Sequence, residues 1–142
     1  MLRGEIDATA AAGPEALLST YGDVLRETIQ GADGDRVAER AGLERETVDR
    51  ILAGDVADVT LEEAAAILAM DSDRPDAETI AAEARDILLL GMTTAVLDVD
   101  TLASQLDAAL GPKEIQQKIE GRYPMTLGEY ATVHYHLRAH AE

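Results

Sequence analysis

The residue types best suited to recognising a ligand are concentrated in one short stretch of the chain. It contains both lysines of the sequence, Lys113 and Lys118, together with Gln116, Gln117 and Arg122. A glutamine can pair with adenine through two hydrogen bonds, a lysine can donate to guanine, and lysine or arginine can hold backbone phosphates. The stretch therefore has side chains suited to DNA, although the same residue types also occur on the exposed face of an ordinary helix.

The other polar residues favour neither a metal site nor catalysis. His136 and His140 are four residues apart and would share a helical face, but no carboxylate joins that face apart from Glu142. We therefore predict no metal, and expect these histidines to complement the C-terminal dipole of the last helix. The sequence has no cysteine, no serine with a base at a useful local spacing and no phosphate-binding glycine loop. We expect neither an enzyme nor a cofactor.

Helical spacing places the DNA-suited residues on the first of two short helices. Ile115 and Ile119 share one helical face, Gly121 can end that helix near Glu120, and Pro124 prevents its continuation. A second helix is predicted directly afterwards, because apolar residues again recur at spacings of three and four. These positions are Leu127, Tyr130, Val133 and Leu137.

An earlier stretch of the chain has the same layout. When Gly54 is aligned with Gly121, and one gap is allowed in the turn, both helices of the earlier stretch find counterparts. The threonine and glutamate that start each second helix have the spacing of a capping box. The repeat predicts two fused units that share a core. The aligned pairs are Val48 with Ile115, Leu52 with Ile119, Thr60 with Thr126 and Glu63 with Glu129.

This repeated layout resembles the Cro/cI (Xre) type of helix-turn-helix. The first copy reads VAERAGLERETVDRILAGD followed by TLEEAAAIL, and the second reads LASQLDAALGPKEIQQKIEGRYP followed by MTLGEYATV. The family's motif also includes the helix that precedes each of these pairs. The resemblance implies that the second helix of the motif, which is the first helix of each pair described above, lies in the DNA major groove with residues near its start reaching base edges.

The family's base-contacting positions carry different residues in the two copies. In the second copy the resemblance implies base contacts from Lys113, Gln116 and Gln117, with Lys118 and Arg122 on phosphates. The remaining position is occupied by Pro112, which departs from the family because a polar residue that contacts a base is expected there. Carboxylates repel phosphates, so we interpret the acidic first copy as structural. Its residues at these positions are Arg45, Glu46, Asp49 and Arg50.

The charge of the chain is extreme and uneven. The formal net charge is −16, of which residues 1–100 carry −15 and residues 101–142 carry −1. With two lysines against ten arginines and no cysteine, the composition resembles that of haloarchaeal proteins; an acidic mesophilic interaction protein is the alternative. The whole chain, including LLLGMTTAVLDVD and KEIQQKIEGR, also resembles a haloarchaeal domain family of unknown function, which implies no activity. No apolar run approaches the roughly 20 residues that cross a bilayer, so we expect a cytoplasmic protein without membrane contact.

These patterns predict an all-α protein of about eight helices, arranged as two tandem four-helix units that each contain a helix-turn-helix. We place a flexible tail at 1–13, the first unit at 14–70, a charged linker at 71–76 and the second unit at 77–142. A long helix from about Asp76 to Val96 would be the central strut, because the segment 88–92 is apolar all round.

Two classes of function follow from this organisation. The first is a DNA-binding transcriptional regulator that reads double-stranded DNA through its second motif, as a homodimer because one such helix covers a half-site. The alternative is a protein–protein interaction module that keeps the helix-turn-helix scaffold and has lost DNA binding. One contiguous basic face made by Lys113, Lys118, Arg122 and Arg138 would favour the first.

Overall fold

The computed structural model describes residues 13–106 and 110–141, and nearly all of the predicted tail lies outside them. The described residues form eight α-helices and one isolated bridge, so the predicted all-α fold of about eight helices is confirmed. The helices are α1 (Pro14–Gln30), α2 (Gly34–Ala41), α3 (Arg45–Leu52), α4 (Leu61–Leu68), α5 (Ala77–Ala95), α6 (Val99–Gln105), α7 (Pro112–Ile119) and α8 (Leu127–Ala141).

Two helix pairs, α3–α4 and α7–α8, are built with the same turn. The glycines that follow α3 and α7 have left-handed backbones, with φ of 90° at Gly54 and 84° at Gly121. In both turns the residue after the glycine donates its N–H to the carbonyl five residues earlier, at 2.9 Å. This bond satisfies a carbonyl that the helix end leaves open, and the positive φ explains why glycine stands at both positions.

The second helix of each pair starts with the predicted capping box. The backbone N–H of Thr60 donates to the Glu63 carboxylate at 3.0 Å, and that of Thr126 donates to Glu129 at the same distance. Each threonine hydroxyl oxygen accepts in return from its glutamate's backbone N–H at 3.1 Å. The boxes satisfy N–H groups that have no partner within the helix.

The two helix pairs meet at these starting points. Leu61 donates its N–H to the Met125 carbonyl at 2.9 Å, and Leu127 donates to the Val59 carbonyl at 2.7 Å. Since these residues occupy equivalent positions in the repeat, each bond is the counterpart of the other. Helix α8 packs on α1 and α5, α5 packs on α4, and apolar residues from both halves form one buried core. The division into two units at 71–76 stays a prediction.

Helix α5 differs from the predicted strut. Only one of its faces, including Leu88, is buried, while Leu89 is 46% and Leu90 62% exposed. Val96, expected in register, lies beyond the helix with φ of 56° and is 88% exposed. The reason is that α4 and α8 cover one side of α5 and leave its other side open.

Within the described ranges no single helix is long and apolar enough to cross a bilayer. Helices α5 and α6 have the required length and apolarity only when they are taken together, and the chain bends by 90° between them.

Candidate functional site

Helix α7 presents the predicted base-contacting residues on its outer face. A proline at its first position fits there because that residue has no N–H to satisfy and a helical φ. Ile115 and Ile119 are buried and hold the helix on the core, whereas Lys113 and Gln116 are exposed and Gln117 is partly exposed. The three polar side chains therefore lie on one helix, on the side that faces away from the core.

Lys118, predicted to contact phosphate, points instead to a carboxylate of α8. Its ammonium group pairs with Glu129, and the two side chains are only 20% and 21% exposed. Partial burial by itself would raise the pKa of Glu129, but hydrogen bonds from Lys118 and from the Thr126 N–H hold that pKa below its usual value. In the first copy the same position is the fully buried Ile51. Lys118 thus joins α7 to α8.

Arg122, the second predicted phosphate contact, lies beside Glu120. Its Nε is 3.4 Å from a Glu120 oxygen, and the other oxygen of that carboxylate accepts from Gln116 at 3.4 Å. Lys113 and Arg138 are exposed and form no ion pair with any residue in 13–106 or 110–141. Two of the four cations whose contiguous basic face would favour DNA binding are therefore matched by carboxylates of the chain.

The corresponding helix of the first copy, α3, has its arginines engaged as well. Arg45 donates to Asp49 at 3.0 Å and to Asp35 at 2.8 Å. Arg50 lies 3.3 Å from Asp55 in another exposed pair. These contacts are exposed and stabilise little, but they place a carboxylate beside each arginine.

A surface groove of 470 Å³, not anticipated from the sequence, runs between α5 and the end of α7. Arg85 lies along it, donating from Nε to the Lys118 carbonyl at 3.0 Å and from Nη1 to Glu62 at 2.7 Å. We call it the α5–α7 groove. Its apolar lining is Ala77, Ala81, Ala82, Leu89 and Ile119, and its carboxylates are Glu62, Glu78, Asp86 and Glu120.

A buried histidine–tyrosine pair was also not predicted from the sequence. The Tyr21 hydroxyl lies 2.8 Å from Nδ1 of His134, which is 7% exposed. Burial raises the pKa of Tyr21, so the hydroxyl stays protonated and donates a hydrogen bond to the imidazole. Burial, and then the charge of Arg138, lower the pKa of His134 to about 4. The pair is neutral at pH 7 and joins α1 to α8.

The signal for this pair was present in the spacing of α8. Leu127, Tyr130, His134 and Leu137 follow one another at intervals of three, four and three, the pattern of a buried stripe. Histidine is intermediate in its tendency to be buried, so residue type alone did not distinguish His134 from the surface histidines of the same helix.

The two remaining histidines are arranged as the helix predicts, without a metal cluster. The rings of His136 and His140 stack with centroids 4.9 Å apart, and Nε2 of His136 lies 2.8 Å from the Gln105 side-chain oxygen. Partial burial and the neighbouring His140 lower the pKa of His136. No group of three or more potential metal ligands is found where the chain is described.

Comparison with known proteins gives a family and no activity. No curated protein and no solved structure matches the chain. A family described only as being of unknown function (DUF5791) matches residues 17–140, which agrees with the expected resemblance to an uncharacterised domain family. The chain belongs to this family of unknown function.

Proposed function

We propose that the chain is a protein–protein interaction module built on a scaffold that resembles a Cro/cI helix-turn-helix. The observation that carries the proposal is a contrast between its charged and apolar surfaces. The cations predicted to hold phosphate, Lys118 and Arg122, lie beside carboxylates of the chain, while Leu89, Leu90 and Tyr123 are at least 46% exposed.

Approaching a DNA duplex would be electrostatically unfavourable for helix α7. DNA carries one negative charge per about 1.7 Å of its axis, and affinity for it comes mainly from cations that replace its counterions. Helix α7 would bring Glu114 and Glu120 towards the phosphates together with Lys113. Lys118 would have to leave Glu129 in a partly buried site to reach a phosphate, which would cost the pair's hydrogen bond.

Two leucine side chains on α5 are exposed to solvent. Leu89 and Leu90 are neighbours on the open side of α5, and Leu89 also lines the α5–α7 groove. Burying a leucine side chain stabilises a complex by roughly 1.5–3 kcal/mol, and contiguous apolar surface commonly marks an interaction site. A protein partner accounts for these side chains better than a nucleic acid does.

Photo-crosslinking tests this proposal. The full chain, carrying a photoreactive residue at position 89, should form a defined adduct in an extract of the source cells, and the chain carrying it at exposed position 39 should not. The adduct should be identifiable as one protein by mass spectrometry. Equal labelling from both positions would contradict the proposal.

DNA binding is the second candidate, favoured by one specific observation. Lys113, Gln116 and Gln117 share the outer face of α7, and the resemblance to the Cro/cI motif assigns them to base edges. In this alternative the protein would act as a homodimeric transcriptional regulator.

A fluorescence titration with fragments of the source genome, from 0.1 M to molar KCl, separates the two candidates. A regulator should bind particular fragments, and this binding should disappear when Lys113→Glu is combined with Gln117→Ala. Arg36→Glu is the matched control, because it changes the charge equally on exposed α2. Retention of no fragment at any salt concentration would leave the interaction module.

A further inference from the structure

The α5–α7 groove has a shape suited to a narrow apolar segment. Its floor includes Ala81 and Ile119, which are 8% and 2% exposed, and its edge is formed by the half-exposed Leu89. Alanines along the α5 wall have no side chain beyond Cβ, so the backbone of another segment can approach this helix closely. Binding of an amphipathic helix in a hydrophobic groove is one of the recurring modes of recognition between proteins.

The carboxylates of the groove are not equally available. Glu62 pairs with Arg85, and Glu120 lies near Arg122. Glu78 and Asp86, both exposed on α5, form no ion pair with any residue that the structure describes. They are eight residues apart, which corresponds to about 12 Å along the helix axis at about 1.5 Å per residue. The groove therefore has an apolar floor and two free negative charges on one wall.

We propose that the α5–α7 groove binds a basic amphipathic helix of a partner protein. Its apolar face would cover Ala81 and Leu89, and lysines or arginines about two turns apart would pair with Glu78 and Asp86. This inference rests on the proposed interaction function and names the chemical class of the partner. Charge complementarity selects that class: nucleic acid and a second copy of a chain with net charge −16 would both be repelled from this wall.

Peptide binding measured by fluorescence anisotropy tests the inference on the full chain. The probe is a labelled 18-residue peptide with leucines on one helical face and lysines beside them; its comparisons are a scrambled peptide of the same composition and an amphipathic peptide with glutamate in place of lysine. We expect the basic amphipathic peptide to bind, and binding to weaken as KCl rises.

Variants of the protein locate the binding. Glu78→Lys combined with Asp86→Lys should weaken binding by about tenfold or more. Glu39→Lys combined with Glu46→Lys makes the same change in net charge on α2 and α3, and should have an effect of less than about threefold. Leu89→Ser should weaken binding, whereas Val96→Ser, at an exposed apolar site outside the groove, should not. Thermal unfolding of each variant establishes that it is folded.

The outcomes separate this inference from the function on which it rests. Equal binding of the scrambled peptide, or equal loss in both charge-reversed pairs, would overturn the inference by reducing it to non-specific attraction. The glutamate peptide could instead bind to the protein, lose that binding in Leu89→Ser and keep it in Glu78→Lys. That result would contradict a basic partner but would still support the interaction function. Failure of the basic peptide to bind at 0.1 M KCl would overturn the inference, while the crosslinking experiment would still decide the function.

Discussion

At the scale of single residues, the Tyr21–His134 pair ties the protonation of one imidazole to the stability of the fold. Nδ1 accepts from the Tyr21 hydroxyl, so a second proton there would remove the acceptor. The pKa of His134 is about 4 in the folded chain, against 6.5 for an exposed histidine. Because the unfolded chain binds the proton more tightly, acid favours unfolding between these two values.

We predict that this pair contributes a pH-dependent loss of stability. The contribution is fully present above about pH 6.5 and is lost as the pH falls towards 4, by about 3 kcal/mol at 1.36 kcal/mol per unit of pKa. Urea unfolding between pH 7.5 and pH 4.5 measures it. The variant Tyr21→Phe with His134→Leu, which uses the leucine found at the equivalent position 68, should show a smaller loss over this range.

Leu137→Ala is the control for that experiment, because it removes buried apolar atoms from the same helix without changing a titratable group, so it should lower stability and leave the slope unchanged. Carboxylates that titrate at the lower end affect all variants alike, so the difference between variants isolates His134. Parallel slopes in the wild type and the double variant would show that the imidazole accepts a proton without loss of packing.

The Lys118–Glu129 pair permits a second residue-scale prediction. A charge-assisted hydrogen bond between two largely covered groups should show a coupling energy of about 1 kcal/mol in a double-mutant cycle of Lys118→Met and Glu129→Gln. Urea midpoints of the four proteins supply the measurement. A coupling below about 0.3 kcal/mol would mean that Lys118 is free to leave Glu129, and would restore it as a phosphate contact.

At the scale of elements, local signals along the chain predicted the helix pairs, whereas the packing of those pairs depends on contacts between residues that are distant in sequence. The two turns were predictable from Gly54 and Gly121, because a backbone with positive φ strongly favours glycine. The side of α5 left open was mispredicted, since an apolar run such as 88–92 is the same whether or not a neighbouring helix covers it. The carboxylate beside Lys118 lies on another helix, so spacing along α7 gave no indication of it.

The turn glycines give an element-scale prediction with an internal control. Gly121→Ala should destabilise the protein by about 1–2 kcal/mol, because a Cβ is unfavourable at φ of 84°. Gly111→Ala, at the residue just before α7 starts, should change stability by less than about 0.5 kcal/mol. At position 111 φ is −77°, and an added Cβ meets nothing within 4 Å. Chemical denaturation compares the two, and equal losses would refute the conformational explanation.

At the scale of the whole molecule, the two halves are joined too closely for either to be complete alone. The capping threonines are linked by the paired bonds between the segments 59–61 and 125–127, and α8 covers α1 as well as α5. Hydrophobic side chains of both halves form one cluster, so separating them would expose core from each.

We therefore predict a single cooperative unfolding transition for the full chain. Fragments 14–70 and 71–142 should each lack a sigmoidal thermal transition in circular dichroism, and neither should reach the helix content of the intact protein. Two separate transitions in the full chain, or an independently folded fragment, would contradict a shared core and favour two autonomous units.

The net charge of −16 makes a further prediction about salt. Like charges on a compact chain repel one another more strongly than on an expanded one, so screening should stabilise the folded state. We expect the thermal midpoint to rise as KCl increases from 0.1 M, with most of the screening complete near 1 M, where the Debye length falls to about 3 Å. The Glu39→Lys and Glu46→Lys pair, which removes part of the negative charge, should raise the midpoint at 0.1 M and flatten its dependence on KCl. A midpoint that is independent of KCl in both proteins would show that the carboxylates are spread too widely to oppose folding, and would remove the physical reason for expecting a halophilic origin.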